Sequence, residues 1–384
     1  MKKCLIVPDS FKGTLSATEI CEIEKAAVKR HFPKCEVVTI PIADGGEGTV
    51  DCFLYALDAE KVVVDTTGPY GEPIQAYYAR IGGKAILEMA SVAGLPFVER
   101  IGRLNPAKTT TYGLGALIRH AVEAGCREIV IGLGGSCTND GGVGMARALG
   151  TVFYDEKDEP FAPASDELIR ISRIDNSRTE ELLDGVRITG MCDIDNPMYG
   201  ETGAAYVFAP QKGADAEMVK LLDQNLRALA EAIDQSLGKD VSGLPGAGAA
   251  GALGAGIVAF LGGHLRSGID TVLNLVEYEK LLAGADMVFT GEGRIDAQSL
   301  RGKVVIGVAK RAAATGVPVT AVVGSIGDGA EGAYDLGVSA IFSINRQAQD
   351  FEQSRYFSKE NLEKTMEDLL RFYKCSGEQK EKQV

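Results

Sequence analysis

The chain is poor in histidine, lacks an excess of positive charge and has no long apolar run, and each shortage removes a class of function. Only three histidines occur in 384 residues. His31 and His120 fall late in expected helices and His264 follows a Gly-Gly pair, so a histidine-based triad or a histidine-rich metal site lacks its residues. No Gly-x-Ser-x-Gly elbow occurs; Gly135-Ser136-Cys137 comes nearest and lacks the second glycine. The eight cysteines are scattered, with no Cys-x-x-Cys pair, and read as reduced thiols of a cytoplasmic protein. Lys plus Arg number 40 against 53 Asp plus Glu, a net charge of −13, so the overall field repels nucleic acid and anionic membranes. The opening MKKCLIVPDSFKG has an apolar run only from Cys4 to Val7, too short for a signal peptide or anchor. Elsewhere Leu253 to Leu261 comes nearest to a span and falls well short of the roughly 18 apolar residues needed.

Glycine, by contrast, is abundant: 47 residues with no collagen-like period, which means many tight turns and close backbone approaches. Apolar residues at 45% and charged residues at 24% match an ordinary globular protein. At roughly 150 residues per domain the length suggests two domains.

Organisation follows from periodicity. Cys4 to Val7 reads as a buried strand emptying into a loop at Pro8. Ser16 with Glu19 fits a capping box, and Ile20, Ile23, Ala27 and Val28 recur at helical spacing up to His31. A strand at Glu36 to Ile40 follows. The same alternation returns at the far end, with strands at Ala285 to Thr290, Val317 to Val323 and Ser339 to Ile344 and helices at Val304 to Thr315 and Ser358 to Tyr373; this is the pattern of a parallel sheet covered by helices. The middle differs: Lys61 to Asp65, Ile74 to Ile81 and Lys84 to Met89 suggest hairpins and a mixed sheet, with further strands at Glu128 to Leu133 and Arg187 to Met191. The expected division is therefore an α/β domain from 1–64 plus 285–375, a second α/β domain inserted at 65–284, and a polar tail at 376–384.

Five loops, four of them containing glycine, place polar or charged residues just after expected strands, where open α/β sheets bind ligands. Pro8-Asp-Ser-Phe-Lys12-Gly-Thr14 sets a cation beside a helix start, suited to a phosphate or carboxylate oxygen. Ala43-Asp44-Gly-Gly-Glu47-Gly-Thr49 offers two carboxylates for a metal, substrate hydroxyls or a proton. Gly134-Gly135-Ser136-Cys137-Thr138-Asn139-Asp140-Gly-Gly142 can curl its N–H groups toward one point, as a phosphate cradle does. It lacks the Gly-x-x-x-x-Gly-Lys-Ser/Thr order of a P-loop. Cys192-Asp193-Ile-Asp195-Asn-Pro197 and Gly291-Glu292-Gly-Arg294-Ile-Asp296 supply the carboxylates and cation that phosphoryl transfer requires. Taken singly, each loop also fits a plain turn or a surface ion pair. Gly246-x-Gly248-x-x-Gly251 has dinucleotide-binding spacing but no strand before it, and reads rather as a small-residue helix packed against a neighbour.

Taken together these blocks resemble the bacterial type I glycerate kinase family. Pro8 to Ser16, Ala43 to Thr49, Gly134 to Ala146, Asn196-Pro-Met-Tyr-Gly200 with Pro210-Gln-Lys-Gly-Ala214, and Thr290 to Asp296 stand in that family's order across nearly the whole chain. Cys137 departs from its usual small alanine-like residue and Met198 from its usual leucine. The resemblance implies a two-domain glycerate kinase type I fold, in which a discontinuous Rossmann-like domain carries an inserted α/β domain and the active site lies in the cleft between them. It implies transfer from ATP, with Mg²⁺, to D-glycerate, giving 2-phosphoglycerate rather than 3-phosphoglycerate. Gly134, Gly135, Ser136, Thr138, Asn139 and Asp140 would then bind ATP. Lys12 and Arg294 would neutralise charge on the transferred group and the substrate carboxylate. Ser10, Asp44 and Glu47 would line the glycerate pocket, and Asp193 and Asp296 would hold Mg²⁺ or activate the hydroxyl. The carboxylate roles are interchangeable at this level, and the oligomeric state is open between monomer and homodimer. A nicotinamide-linked dehydrogenase using the Gly246 loop and a non-catalytic sugar-acid sensor are the alternatives. Cys137 is expected to make the phosphate loop sensitive to thiol reagents.

Overall fold

The structure, a computed structural model, describes residues 1–43, 45–46 and 48–381, with side chains described through residue 375. Asp44 and Glu47 of the second loop lie outside the described residues. In chain order the strands used below are β1 (Lys3–Pro8), β2 (Glu36–Thr39), β3 (Glu60–Thr67), β4 (Pro73–Ile81), β5 (Lys84–Glu88), β6 (Glu128–Gly132), β7 (Arg187–Met191), β8 (His264–Arg266), β9 (Met287–Gly291), β10 (Val319–Val323) and β11 (Val338–Ser343). The helices are α1 (Ala17–His31), α2 (Tyr112–Glu123), α3 (Val143–Leu149), α4 (Ala249–Leu261), α5 (Val304–Ala313) and α6 (Ser358–Glu381).

Two compact units form. The first comprises Met1–Asp44, Tyr55–Leu57 and Ile269–Val384, the second Gly45–Leu54 and Asp58–Gly268. These limits differ from 64/65 and 284/285. Strand β3 pairs antiparallel with β4 along its whole length, which draws residues 60–64 into the second unit. Helix α6 runs on to Glu381, into the stretch read as a polar tail.

In the first unit the sheet order is β11-β10-β9-β1-β2, every neighbour parallel. Chain order reverses direction between β1 and β9, the switch point beyond which such sheets bind ligands. Helix α1 starts as its sequence dictates: the Ser16 side chain accepts from the Glu19 N–H while the Glu19 carboxylate accepts from the Ser16 N–H. Its last turn carries Lys29, Arg30 and His31, favourable at a helix C-terminus. Its Ile20, Ile23, Ala27 and Val28 share one core with Leu362, Met366, Leu369 and Leu370 of α6. Fully burying such side chains stabilises the fold by about 1.5–3 kcal/mol each.

The second unit is built on a mixed sheet in the order β8-β7-β6-β5-β4-β3. β3, β4 and β5 form antiparallel hairpins, the second turning at Gly82-Gly83, and β5 to β8 run parallel. Because β6 and β7 lie in register from Glu128↔Arg187 to Gly132↔Met191, the loops that leave their carboxyl ends emerge side by side.

Candidate active site

In the first unit the loops after β1 and β9 are brought together by the pairing of those strands. The Asp9 N–H donates to Gly291 O at 2.8 Å, tying one loop to the end of the other strand. Ser10 donates its N–H to Asp9 Oδ1 at 2.6 Å. Lys12 is exposed at the tip of a turn closed by Phe11 and Leu15, which exchange backbone hydrogen bonds of 2.8 and 3.1 Å. Its backbone passes so close to Gly293 that a β-carbon there would lie 3.3 Å from the Lys12 nitrogen, so a glycine suits that position. Beyond β9, Arg294 Nε stands 3.3 Å from Asp296 Oδ2, and Asp296 Oδ1 accepts from the Gln298 N–H at 2.9 Å. Glu292 is buried between these groups and Oε1 has no hydrogen-bond partner among the described residues. Burial pushes its carboxyl pKa up.

The second unit holds the glycine loop between β6 and α3. Gly135, Gly141 and Gly142 take the left-handed conformation at φ 73°, 61° and 79°, which an L side chain resists. The loop leans on the second glycine loop: Gly134 N–H donates to Gly45 O at 2.8 Å, and a β-carbon on Gly134 would meet Gly46 Cα at 2.7 Å. Ser136, Thr138, Asn139 and Asp140 are all buried. The residue roles within this run divide sharply. Asp140, counted among the ATP-binding residues on sequence, accepts from the N–H groups of Thr111, Gly142 and Gly144 and from the Thr111 hydroxyl. It is the loop's internal strut. Asn139, in contrast, leaves both Oδ1 and Nδ2 buried without a partner among the described residues.

Lys212 was quoted within a block but given no role on sequence. It is 2% exposed, and its Nζ donates to Ser136 Oγ at 2.9 Å and to Thr138 O at 2.7 Å. A lysine with three N–H donors thus commits two to the loop and sets a positive charge beneath it. Burial lowers its pKa to about 8. The only available sequence signal was a lysine before a glycine, Lys212-Gly213, in a turn.

Cys137 corrects its expectation. It is 1% exposed and held by Ala93 O and the Thr109 hydroxyl through its backbone, and burial pushes its thiol up to about 12. Such a thiol is inert. The Gly246–Gly251 segment is likewise no dinucleotide loop, since turns rather than a strand precede it. Its Ala250, Gly251 and Ala252 are all left-handed, and Gly251 lies against the loop so closely that a β-carbon would meet Thr138 O at 2.0 Å. Gly251 O accepts from the Gly141 N–H at 3.0 Å. That segment buttresses the glycine loop, and its left-handed alanines cost roughly 1–2 kcal/mol each.

After β7, Asp193 Oδ1 accepts from the Gly268 N–H at 2.8 Å. The expected site residues therefore fall in two groups: Ser10, Lys12, Arg294 and Asp296 in the first unit, and the 134–140 loop with Asp193 in the second.

An α/β chain whose glycine loop rests on a buried lysine, with carboxylates and cations at the ends of parallel strands, belongs to the phosphoryl-transferring enzymes. A model of the glycerate kinase family matches residues 4–374. Glycerate kinase of Bacillus cereus is 43% identical over 378 residues, 98% of this chain and 99% of that protein. Glycerate 2-kinase of Escherichia coli K12 is 42% identical over 344 residues, 89% and 90% of the two chains. A crystal structure from Salmonella typhimurium LT2, described as a glycerate kinase 2, superposes with a TM-score of 0.86 at 39% identity over 98% of this chain and 99% of that one. The chain belongs to the glycerate kinase family, and it is a kinase with ATP as phosphate donor. Among the described residues no helix is long and apolar enough to cross a membrane.

Proposed function

We propose that the protein transfers the γ-phosphoryl group of ATP to the 2-hydroxyl of D-glycerate, giving ADP and 2-phosphoglycerate. The observation that carries this reading is the Lys212 contact with Ser136 and Thr138, which supports a preformed cationic cradle for phosphate oxygens. The uncommitted Asn139 amide beside it is the second support, because a buried amide without partners costs stability unless a ligand completes it. Gly134 and Gly135 would offer backbone N–H groups, and Ser136, Thr138 and Asn139 side chains, to the phosphates. Asp140 would act only by holding the loop.

Lys12 and Arg294 would neutralise charge on the transferred group and on the glycerate carboxylate, with Ser10, Asp44 and Glu47 as substrate-pocket residues. In the transfer the glycerate hydroxyl oxygen bonds to the γ-phosphorus, the bond to the bridging oxygen of ADP breaks, and the hydroxyl proton passes to a carboxylate, Asp193 or Asp296. Mg²⁺ fits carboxylates of this kind, because kinases commonly hold the ion by one or two carboxylates together with phosphate oxygens and water. Asp193 or Asp296, whichever does not take the proton, would hold it, and the ion would supply charge neutralisation on the phosphates.

Phosphorus-31 NMR of the protein with ATP, Mg²⁺ and D-glycerate tests this in one spectrum. A 2-phosphoglycerate resonance is expected; a 3-phosphoglycerate resonance would overturn the regiochemistry, and no ester from folded protein would overturn the acceptor.

A further inference from the structure

We propose that a cavity in the second unit, lined by Thr67, Lys108, Thr109, Thr110, Tyr112 and Arg147, is a second anion site that takes a small metabolite bearing a phosphate or carboxylate group. The cavity measures about 340 Å³, within the usual range for small-molecule sites. Arg147 projects from α3. Unlike the side chains of the half-buried Arg80 and Arg119 of the same unit, which donate to Ala124 O and Ala148 O, its guanidinium makes no hydrogen bond or ion pair with any described residue. The Tyr112 ring centroid lies 5.8 Å from its guanidinium carbon. Burial lowers its pKa, and the Asp140 carboxylate and Tyr112 offset that cost only through space, without a hydrogen bond to the guanidinium. The Thr67 hydroxyl on the same wall is also buried without a partner among the described residues.

A planar guanidinium, a vacant hydroxyl and the Lys108 ammonium match the oxygens of a phosphate or carboxylate, with the guanidinium donating to two of them in a fork. Lys108 is already paired to Asp166 at 2.7 Å, which leaves Arg147 as the principal cation. A neutral or cationic ligand would leave the guanidinium without a hydrogen-bonded anion.

The same wall is bonded to the phosphate loop. Thr109 Oγ1 donates to Cys137 O at 3.0 Å, while Thr111, between two lining residues, donates its N–H and hydroxyl to Asp140 at 2.8 and 2.9 Å. A ligand that orders residues 108–112 therefore acts on the strut of the loop, and its occupancy changes apparent ATP affinity several-fold.

The test is calorimetric titration of the full chain with inorganic phosphate and, separately, with citrate, both with and without a saturating non-hydrolysable ATP analogue. One equivalent of anion is expected to bind while the analogue is present. Arg147→Gln is expected to weaken it at least tenfold and Thr67→Val several-fold. Binding of phosphate alone assigns phosphate esters, and binding of citrate alone assigns carboxylates. Loss of the anion when the analogue saturates the protein would assign it to the phosphate loop and overturn the proposal, as would binding undiminished in both variants or no binding of either anion. The readout is binding rather than turnover, so it is independent of whether glycerate is the acceptor.

Discussion

Replacing Lys212 by methionine keeps the aliphatic stem and removes the charge and both donors. In the wild type the fall in pKa from 10.5 to about 8 corresponds to about 3 kcal/mol spent on burying the ammonium. Two hydrogen bonds from a cation, at 2.7 and 2.9 Å, return about 1.5–3 kcal/mol each. The return equals the cost or exceeds it by up to about 3 kcal/mol, so Lys212→Met should destabilise the fold by no more than about 3 kcal/mol, much of it from the unpaired Ser136 hydroxyl and Thr138 carbonyl. Catalysis has no such cancellation. Loss of a preorganised cation beneath the phosphates should lower kcat/KM for ATP by roughly 10²–10³. The pH dependence supplies an independent sign. The folded protein holds this proton less tightly than the unfolded chain, so unfolding takes up a proton between about pH 8 and 10.5 and the stability deficit is relieved as pH rises through that window. Anionic ligand favours the protonated form, so kcat/KM for ATP should decline above about pH 8 in the wild type, and Lys212→Met should lack that limb. A coupled assay of ADP release across pH 6.5–9.5 reads both effects. A variant within threefold of wild type, or one that keeps the same alkaline limb, would refute the role given to Lys212.

Arg294→Ala should lower kcat by hundreds-fold or more, about 3–5 kcal/mol, if its charge acts on the transferred group; a rise in KM alone would assign it to ground-state binding. Cys137 should resist a maleimide in the native protein with or without ATP and react only in denaturant, and mass spectrometry of digested protein reads this directly; native labelling would contradict its burial. Gly251→Ala should raise KM for ATP and lower Tm, because its β-carbon meets Thr138 O at 2.0 Å. Gly238→Ala, at a similar φ of 65° but with open space around it, is the control that isolates the contact from the backbone strain. Equal effects in the two variants would remove the buttressing role of the 250–252 turn.

The sequence by itself determined what is local. The Ser16–Glu19 capping box, the strand at Arg187–Met191, the hairpins of residues 60–88 and the glycine loops after β1, β6 and β9 depend on neighbours within a few residues, where periodicity and cap chemistry act directly. The motif order carried the family for the same reason, since each block is a contiguous run. What only the tertiary structure decided is what each side chain meets. Lys212 reaches Ser136 and Thr138 across 76 and 74 positions of chain, a contact that no local pattern encodes. Asp140 sits in a phosphate-type loop, and only the fold brings four donors from residues 111–144 onto its carboxylate. Cys137 looked reactive by position and is inert by burial, and the neighbour against which the Gly251 segment packs is Thr138. Composition and spacing select which chemistry a loop can perform; desolvation and long-range hydrogen bonds, which arise only when distant segments pack, select which of its residues perform it.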